Sequence, residues 1–420
     1  MEGGPVMLEV LWQVLSIFTS VAFWIEVAVF TIIVLSLNLE YGWTGIPNFG
    51  KVAFVSMGGL AAALVLNYII VPMLAGLANQ PGVPPEAAEH AKAIEEILRQ
   101  GRAPGDYYYV LMITQHVVPL FQMYPQYYFL LLGLSLLAAV ALGAIFALIV
   151  SYPIVRLRED YLAIVLLMTS FLLWMLYTYF PLLMGGTFGI LIQTGAFTTI
   201  FGDYAGYARL AVVGVAALLS ILLAERLLNT PFGRMLRAIR DDEAAAEAMG
   251  KDAARTRLTV IMLSSVWAAL GGVLYVLVYV GSIHPDYYRI DFTFLWIAML
   301  LLGGVGNNIG AVIGVIAFDF FYNASQVLVS YILQGMGLPL DIAQGIQGLV
   351  ANMLVGVILV LILFFRPQGI IPEKPVKTPI WRVFVERTGV TPEFLQPFYA
   401  RIARIFGKAG QRGKRSSRVG

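Results

Sequence analysis

The sequence predicts an all-α polytopic membrane protein with about nine transmembrane helices. Of its 420 residues, 59% are apolar and 12% are charged, and the mean hydropathy is +0.81. A soluble domain carries roughly 25% charged residues, so this chain lacks the polar surface that a soluble enzyme needs. The 41 glycines and the 13% of aromatic residues fit a bilayer, where small residues let helices approach and aromatic rings sit at the interfaces.

Long apolar runs predict the individual spans, because a membrane-crossing helix needs about 20 mostly apolar residues. The runs are continuous rather than alternating in polarity, which favours helices over barrel strands. A shorter run has barely half the usual length and predicts a short or re-entrant segment packed within protein. The long runs are 8–37, 52–75, 126–154, 160–184, 208–228, 258–283, 308–333 and 346–366, and the short one is 292–303.

The distribution of basic residues predicts which segments face the cytoplasm. Basic residues cluster at Arg156 and Arg158, in the 229–257 loop and in the tail, where 12 of the 27 lysines and arginines lie within 366–418. The stretch 76–106 carries three bases and five acids, so it is expected outside. These assignments place the N-terminus outside and the C-terminus in the cytoplasm of a multi-pass protein of the cell membrane.

The chain is expected to divide into a transmembrane domain, residues 1–375, and a basic cytoplasmic tail, residues 376–420. Residues 76–125 form an unusually long extracytoplasmic insertion with a predicted helix at 85–100 and an aromatic stretch after it. That insertion is interpreted either as an interfacial cap or as a docking surface for an extracytoplasmic partner. In the tail, apolar residues recur at helical spacing in 395–406, which predicts attachment to anionic membrane lipid and not to nucleic acid.

The 229–257 loop has the sequence NTPFGRMLRAIRDDEAAAEAMGKDAARTR. A breaker pair, Thr230-Pro231, is followed by an Ala-rich stretch, 241–249, with high helix propensity, and Gly250 is a natural helix stop. We expect a short cytoplasmic helix that engages a soluble partner. The alternative is an ordinary basic loop of the kind that sets membrane orientation.

This loop resembles the coupling loop of ATP-binding-cassette importer permeases, whose Glu-Ala-Ala…Gly pattern inserts into a cleft on the ATPase subunit. Here the pattern is Glu243-Ala244-Ala245 with Gly250, and its spacing is one residue longer than the commonest version. The resemblance implies a coupling set that comprises Arg237, Asp241, Glu243, Ala244, Ala245, Glu247 and Gly250.

More specifically, the chain is similar to the LivM-type permease subunits of branched-chain amino-acid importers over residues 25–75 and 126–371. Four blocks carry the resemblance in the same order along the chain. They are LSLNLEYGWTGIPNFGKVAF (35–54), RLREDYLAIV (156–165), GRMLRAIRDDEAAAEAMG (233–250), and LLGGVGNNIGAVIG (301–314) together with LFFRPQGII (363–371).

The resemblance implies a transport subunit without an ATPase of its own, and no G-x-x-x-x-G-K-[ST] phosphate loop occurs in the sequence. Expected partners are ATPase subunits that use ATP and Mg²⁺, a second homologous permease subunit and an extracytoplasmic solute-binding protein. No cofactor is expected on this chain. The expected solute is a branched-chain or related amino acid. A permease for urea or amides, an ion-coupled secondary transporter and a membrane enzyme stay open as alternatives.

Glycine-rich interruptions of the apolar runs predict a translocation pathway. In transporters, interrupted helices free backbone groups to meet a polar solute at mid-membrane, although such glycines also serve plain helix packing. The predicted pathway residues are Gly42, Gly45, Gly185, Gly186, Thr187, Gly303, Gly304 and Asn307.

Two carboxylates lie near the middle of predicted spans, Glu26 in 8–37 and Asp319 in 308–333. A charge at the bilayer centre costs about 3 kcal/mol on insertion scales and marks a pathway or a partnered polar site. The sequence leaves open whether the two acids are protonated and hydrogen-bonded or face a polar pathway. With no cysteine and three scattered histidines, no metal site is expected.

Overall fold

The computed structural model describes residues 11–154, residues 159–335 and, with gaps, part of 346–373. The described residues belong to one compact unit that ends at Glu373. The predicted span 346–366 falls on the gapped part, and the predicted tail lies outside the described residues.

Seven helices in the described part of the chain are long and apolar enough to cross a membrane, and one shorter apolar helix accompanies them. This confirms a polytopic helical membrane protein. The seven candidate spans are Val21–Gly42, Lys51–Asn79, Pro125–Tyr152, Tyr161–Tyr179, Gly195–Leu228, Ala253–Val280 and Asn308–Leu333, and the shorter helix is Ile290–Gly303.

The helices are numbered in chain order from the first span, and three of them continue as a π-helical turn. They are α1 (Val21–Leu37, continued by Asn38–Gly42), α2 (Lys51–Val65, continued by Leu66–Ile70), α3 (Val71–Ala75), α4 (Pro85–Arg99), α5 (Tyr107–Met123), α6 (Pro125–Ile154), α7 (Glu159–Tyr179), α8 (Pro181–Met184), α9 (Gly195–Phe201), α10 (Ala205–Leu228), α11 (Pro231–Asp241), α12 (Glu243–Ala248), α13 (Ala253–Leu274, continued by Tyr275–Val280), α14 (Ile290–Gly303) and α15 (Asn308–Gly335). Two short strands, β1 (Ile190–Leu191) and β2 (Ser282–Ile283), pair antiparallel.

The structure moves several of the predicted span boundaries: the first and second spans end at Gly42 and Asn79 rather than at 37 and 75, and the sixth begins at Ala253 rather than at 258. The first span begins at Val21 rather than at residue 8, because Ser20 takes an extended conformation that interrupts the helix. The span predicted at 160–184 ends at Tyr179, since Pro181 starts a separate short helix. Helix α10 begins three residues before the predicted 208 and is preceded by α9 and a short 3-10 turn.

The helices α1, α2 and α13 form the centre of the bundle and are mostly buried. Helices α2 and α13 cross at glycines whose backbones touch: a Cβ on Gly58 would lie 2.1 Å from the carbonyl oxygen of Ala269, and one on Gly272 2.0 Å from that of Val55. Small residues permit this approach in membranes. Helices α6, α7 and α10 lie outside the centre and expose leucine, isoleucine and phenylalanine side chains, as lipid-facing helices do.

The predicted insertion folds as a hairpin of α4 and α5, which confirms the helix expected at 85–100. Ala91 and Ile94 of α4 are buried, as are Tyr109 and Ile113 of α5. The apolar faces of the two helices therefore pack together and join the main hydrophobic core of the bundle.

Candidate coupling and translocation site

Two short helices, α11 and α12, connect α10 to α13. Helix α11 begins at Pro231, a position at which proline has no helical hydrogen bond to lose. An extended residue, Asp242, separates α11 from α12 and caps α12, because its carboxylate accepts a hydrogen bond from the Ala245 N–H at 3.0 Å. The structure confirms the short helix expected in 241–249 and adds α11, which the sequence analysis did not predict.

Helix α12 is anchored on one side and exposed on the other. The Glu243 carboxylate pairs with the Arg257 guanidinium at 2.8 Å, and Ala246 is buried in a small cluster with Ile239. The side chain of Met249 is 81% exposed. The exposed predicted coupling residues are Asp241, Ala244, Ala245, Glu247 and Gly250. The segment thus presents a polar face with one large apolar side chain, Met249, which the sequence analysis did not single out.

Arg240 connects α11 to two distant segments. Its Nη1 donates a hydrogen bond to the carbonyl oxygen of Gly42 at 2.6 Å, and it forms an ion pair with the carboxylate of Glu373 at 3.0 Å. Asp241 is a third partner, at 3.2 Å. Burial disfavours the charge on Arg240, but the hydrogen bond and the charge of Glu373 outweigh that cost and raise the pKa of the guanidinium. Arg240 is therefore a permanently charged link.

Neighbouring residues reinforce the link between α11 and the segment after α1. The guanidinium of Arg237 lies over the ring of Trp43, 4.3 Å from its centroid, a distance that suits a cation–π contact. Gly45 has φ +71, and a Cβ there would approach Cγ of Arg240 to 3.2 Å. Arg237 is a predicted coupling residue, whereas nothing in the sequence distinguishes Arg240 from the other arginines of the loop.

The predicted pathway residues fall into two groups at opposite ends of α13, and they lie in turns at helix ends rather than within spans. Gly185, Gly186 and Thr187 lie near the residues that follow α13: the carbonyl oxygen of Thr187 is 3.2 Å from Nε2 of His284. The other group, near Arg240, comprises Gly42, Gly45, Gly303, Gly304 and Asn307. The structure therefore does not bring all eight residues together.

The turn from Gly303 to Asn307 closes against the segment that follows the last predicted span. The N–H of Ile371 donates to the carbonyl oxygen of Gly303 at 2.9 Å, and the Asn307 amide donates to that of Pro372 at 3.2 Å. A Cβ on Gly304 would lie 2.1 Å from the Ile371 carbonyl oxygen. This contact between backbones requires glycine.

An amide network joins three helices close to this turn. The Asn38 side-chain oxygen accepts a hydrogen bond from the Gly306 N–H, and the Asn38 amide donates to the side-chain oxygen of Asn308, both at 3.0 Å. Asn308 in turn donates to Glu225 at 3.1 Å. Helices α1, α15 and α10 are thus connected beside the coupling helices.

A buried ion pair, which the sequence analysis missed, joins the π-helical end of α1 to the first residue of α2. Nζ of Lys51 is 3.3 Å from the Glu40 carboxylate, and both side chains are fully buried. Asn48 donates to Glu40 at 2.8 Å, and the hydroxyl of Ser264 on α13 also donates to it. A signal for this pair exists in the sequence, because two opposite charges flank a glycine turn within an apolar stretch.

The two intramembrane acids lie apart from both glycine groups. Glu26 on α1 is partly buried, and Asp319 on α15 is 1% exposed. Their helices pack against each other. The sequence does not indicate how their helices pack, and their position on neighbouring helices is a finding of the structure.

The fold and these polar connections define the class of protein: a multi-pass helical membrane protein. The chain matches the family described as the permease component of the branched-chain amino acid transport system over residues 19–363. It belongs to that family, which makes it a transport protein rather than an enzyme.

Curated relatives agree with this assignment. The chain is 33% identical over 348 residues to a probable branched-chain amino acid transport permease protein LivM of Methanocaldococcus jannaschii, covering 83% of this chain and 92% of the relative. It is 25% identical over 247 residues to the high-affinity branched-chain amino acid transport system permease proteins LivM of Escherichia coli and Salmonella typhimurium, covering 53% of each chain. No solved structure gives a significant match.

Proposed function

We propose that this chain is the transmembrane subunit of an ATP-driven importer for branched-chain amino acids or closely related small solutes. Membership of the permease family supports the transport role, and the names of the relatives supply the solute class. ATP and Mg²⁺ are used by partner ATPase subunits, and a second homologous permease subunit completes the membrane domain.

The observation that carries the ATPase partnership is the exposed face of α12. Helix α12 is fixed to the bundle by Glu243 and Arg257, so a force applied to its exposed face is passed on. Arg240 at the end of α11 extends the connection to Gly42 and Glu373. A partner that moves α11 and α12 would therefore move the turns after α1 and before α15.

The two glycine groups act as gates in this proposal. The group beside Arg240 opens or closes the solute pathway at the end of the bundle where α11 and α12 lie. Gly185, Gly186 and Thr187 form a turn at the opposite end of α13. Both gates use close backbone approaches, as Gly304 illustrates with the Ile371 carbonyl oxygen. A polar solute would meet backbone groups at these turns.

The proposal includes nine passes with the N-terminus outside and the C-terminus in the cytoplasm. Seven long helices and α14 account for eight passes in the described residues, and the apolar run 346–366 supplies the ninth. Arginines in the 229–257 segment support a cytoplasmic position for α11 and α12. The α4–α5 hairpin then faces outward and offers a surface to the solute-binding protein, while the tail attaches to lipid.

The test is assembly of the purified chain with its partner ATPase subunits. We expect Met249→Asp to weaken that assembly at least 10-fold, because an exposed apolar residue at an interface centre becomes charged. Since Met249 is exposed, the variant should fold and insert normally. The matched control is Gln100→Asp on the opposite side, which should assemble like the parent. Unchanged ATPase affinity in Met249→Asp would contradict docking through α12.

A further inference from the structure

We propose that a groove between α10 and α13 holds one acyl chain of an anionic phospholipid, whose phosphate is bound by Arg226. The groove has a volume of about 450 Å³ and lies between two candidate membrane spans. The proposal goes beyond the transport role and does not depend on it.

Two long helices form the walls of the groove. On α10 the lining side chains recur three or four residues apart within 212–223, and on α13 they do so within 263–274. This is the spacing of side chains that share one helix face. The two walls are joined at the bottom, where Nε1 of Trp267 donates a hydrogen bond to Oγ of Ser220 at 2.9 Å. The groove is therefore a cleft with connected walls.

The lining of the groove is apolar. Ile32 of α1 and Leu136 of α6 contribute to it, and only Ser220 and Trp267 among the lining residues carry a polar side-chain atom. Those two atoms already bond to each other, so a polar solute would find no partner there. A hydrocarbon chain would fill the groove and supply the van der Waals contacts that its walls otherwise lack.

The length and the open side of the groove also suit an acyl chain. The stretch 212–223 extends about 16 Å along α10 at a rise of 1.5 Å per residue, and one leaflet of a bilayer has about 15 Å of hydrocarbon. Along the rim, Val215, Leu219 and Leu223 are exposed, whereas Trp267 at the bottom is 5% exposed. A lipid chain can therefore enter sideways from the bilayer.

Arg226 lies at one end of the groove. It follows Leu223 by one helical turn and shares its face of α10. Its side chain is exposed, and within the described residues it forms neither an ion pair nor a side-chain hydrogen bond. The adjacent acid, Glu225, accepts a hydrogen bond from Asn308 of α15 at 3.1 Å. The guanidinium is thus available for a phosphate, which arginine binds through two parallel hydrogen bonds.

The charges at the two ends of the groove favour an anionic headgroup beside Arg226. Arg255 is exposed and lies about two turns before the lining residue Leu263, so a second base is near the same end. At the other end, Arg209 already donates a hydrogen bond to Oγ1 of Thr194 at 3.2 Å. A zwitterionic headgroup would bring a cation of its own toward Arg226 and Arg255, whereas an anionic one would not.

The experiment follows the fluorescence of Trp267 in the purified full chain in detergent. The chain is titrated with phosphatidylglycerol or phosphatidylcholine whose acyl chains carry bromine, which quenches a tryptophan that it contacts. Subtraction of the signal of Trp267→Phe isolates this ring from the other tryptophans. We expect phosphatidylglycerol to bind about fivefold more tightly, because one base near anionic lipid contributes about 1 kcal/mol and about 1.4 kcal/mol is tenfold in affinity.

Three variants separate the headgroup from the acyl chain. Arg226→Gln should remove the preference for phosphatidylglycerol and keep the binding of phosphatidylcholine. Ala216→Phe puts a ring into the groove and should reduce the quenching of Trp267 by both lipids. The control Arg99→Gln, which removes an exposed base of the α4–α5 hairpin, should keep the preference.

Four results would overturn the proposal. Equal binding of the two lipids by the parent would mean that the groove selects no headgroup, and absence of Trp267 quenching would mean that no acyl chain enters it. A preference that persists in Arg226→Gln would remove the assigned phosphate ligand. Quenching that disappears when a second homologous permease subunit is co-purified would make the groove a contact between subunits. If Ala216→Phe does not fold, the parent and Arg226→Gln, an exposed position, still decide.

Discussion

The two ends of α13 are built from different interactions. At its N-terminal end, charged and amide side chains connect separate segments, as Arg240 does with Gly42 and Glu373. At its C-terminal end, β2 pairs with β1 through backbone hydrogen bonds, and the ring of Phe188 packs on Tyr107 at 4.2 Å. The N-terminal end is thus held by long side chains that can transmit a displacement of α11, whereas the C-terminal end is held by backbone pairing, ring packing and the contact of His284 with Thr187.

The largest effect on the free energy of unfolding is expected from breaking the buried ion pair between Lys51 and Glu40. Lys51→Met leaves the Glu40 carboxylate fully buried without its cation, which should cost about 3–5 kcal/mol in the free energy of unfolding. The measurement is unfolding of the purified chain in a detergent–SDS titration.

An exposed ion pair on α4, in the α4–α5 hairpin, provides the control. Arg99 is 76% exposed and pairs with Glu95 one turn away on α4, so Arg99→Met should cost less than about 1 kcal/mol. Equal losses in Arg99→Met and Lys51→Met would remove the distinction between the two ends.

Glycine substitutions should also affect the two ends of α13 differently. Gly304→Ala puts a Cβ 2.1 Å from a backbone oxygen at φ +122, whereas at Gly186 the nearest atom to a new Cβ would be 3.0 Å away, on the ring of Pro181. We expect solute uptake in vesicles to fall at least 10-fold in Gly304→Ala and less in Gly186→Ala.

Gly214→Ala is the reference for both glycine variants, because nothing lies within 4 Å of a Cβ at that position. It should transport normally, with expression measured in each case. Full uptake by Gly304→Ala would show that the turn at Gly304 serves helix packing and not transport.

The sequence was most informative where a pattern is local. Continuous apolar runs located the spans, and the Ala-rich stretch before Gly250 located α12. It failed where partners are distant in the chain: Arg240 meets Glu373 across 133 residues, and Glu40 meets Ser264 across 224. The glycine turns illustrate the same limit, because only the folded structure shows that they divide between two ends of one helix.

A smaller effect is expected from pH at the α4–α5 hairpin. Nδ1 of His90 and Nδ1 of His116 are 3.0 Å apart, and burial, aided by the charge of His90 and opposed by that of Glu89, lowers the pKa of His116 below its usual 6.5. Since the folded state disfavours the proton, the hairpin is fully stable above about pH 6.5 and loses stability as the pH falls below it.

Hydrogen exchange of α4 and α5 at pH 7.5 and 5.0 checks this. We expect several-fold faster exchange at pH 5.0, after correction for intrinsic rates, and no such acceleration in His116→Gln. Acid sensitivity that persists in His116→Gln would assign the effect to other groups.

The smallest effect is expected from removing the tail. Truncation after Pro375 should leave solute uptake largely intact, because the match to the permease family ends at residue 363 and Glu373, the partner of Arg240, is retained. Uptake and assembly with the ATPase subunits are the measurements. A truncated chain that no longer binds the ATPase would identify the tail as a docking element.

The central claim, that Arg240 transmits ATPase motion to the bundle, is tested most directly by solute-stimulated ATPase activity of the assembled complex. Arg240→Met removes the links to Gly42 and Glu373, while Arg234→Met changes an exposed residue of the same helix. We expect Arg240→Met to assemble normally but to lose solute stimulation and at least 10-fold in uptake, whereas Arg234→Met should keep both. Normal stimulation and uptake in Arg240→Met would contradict it.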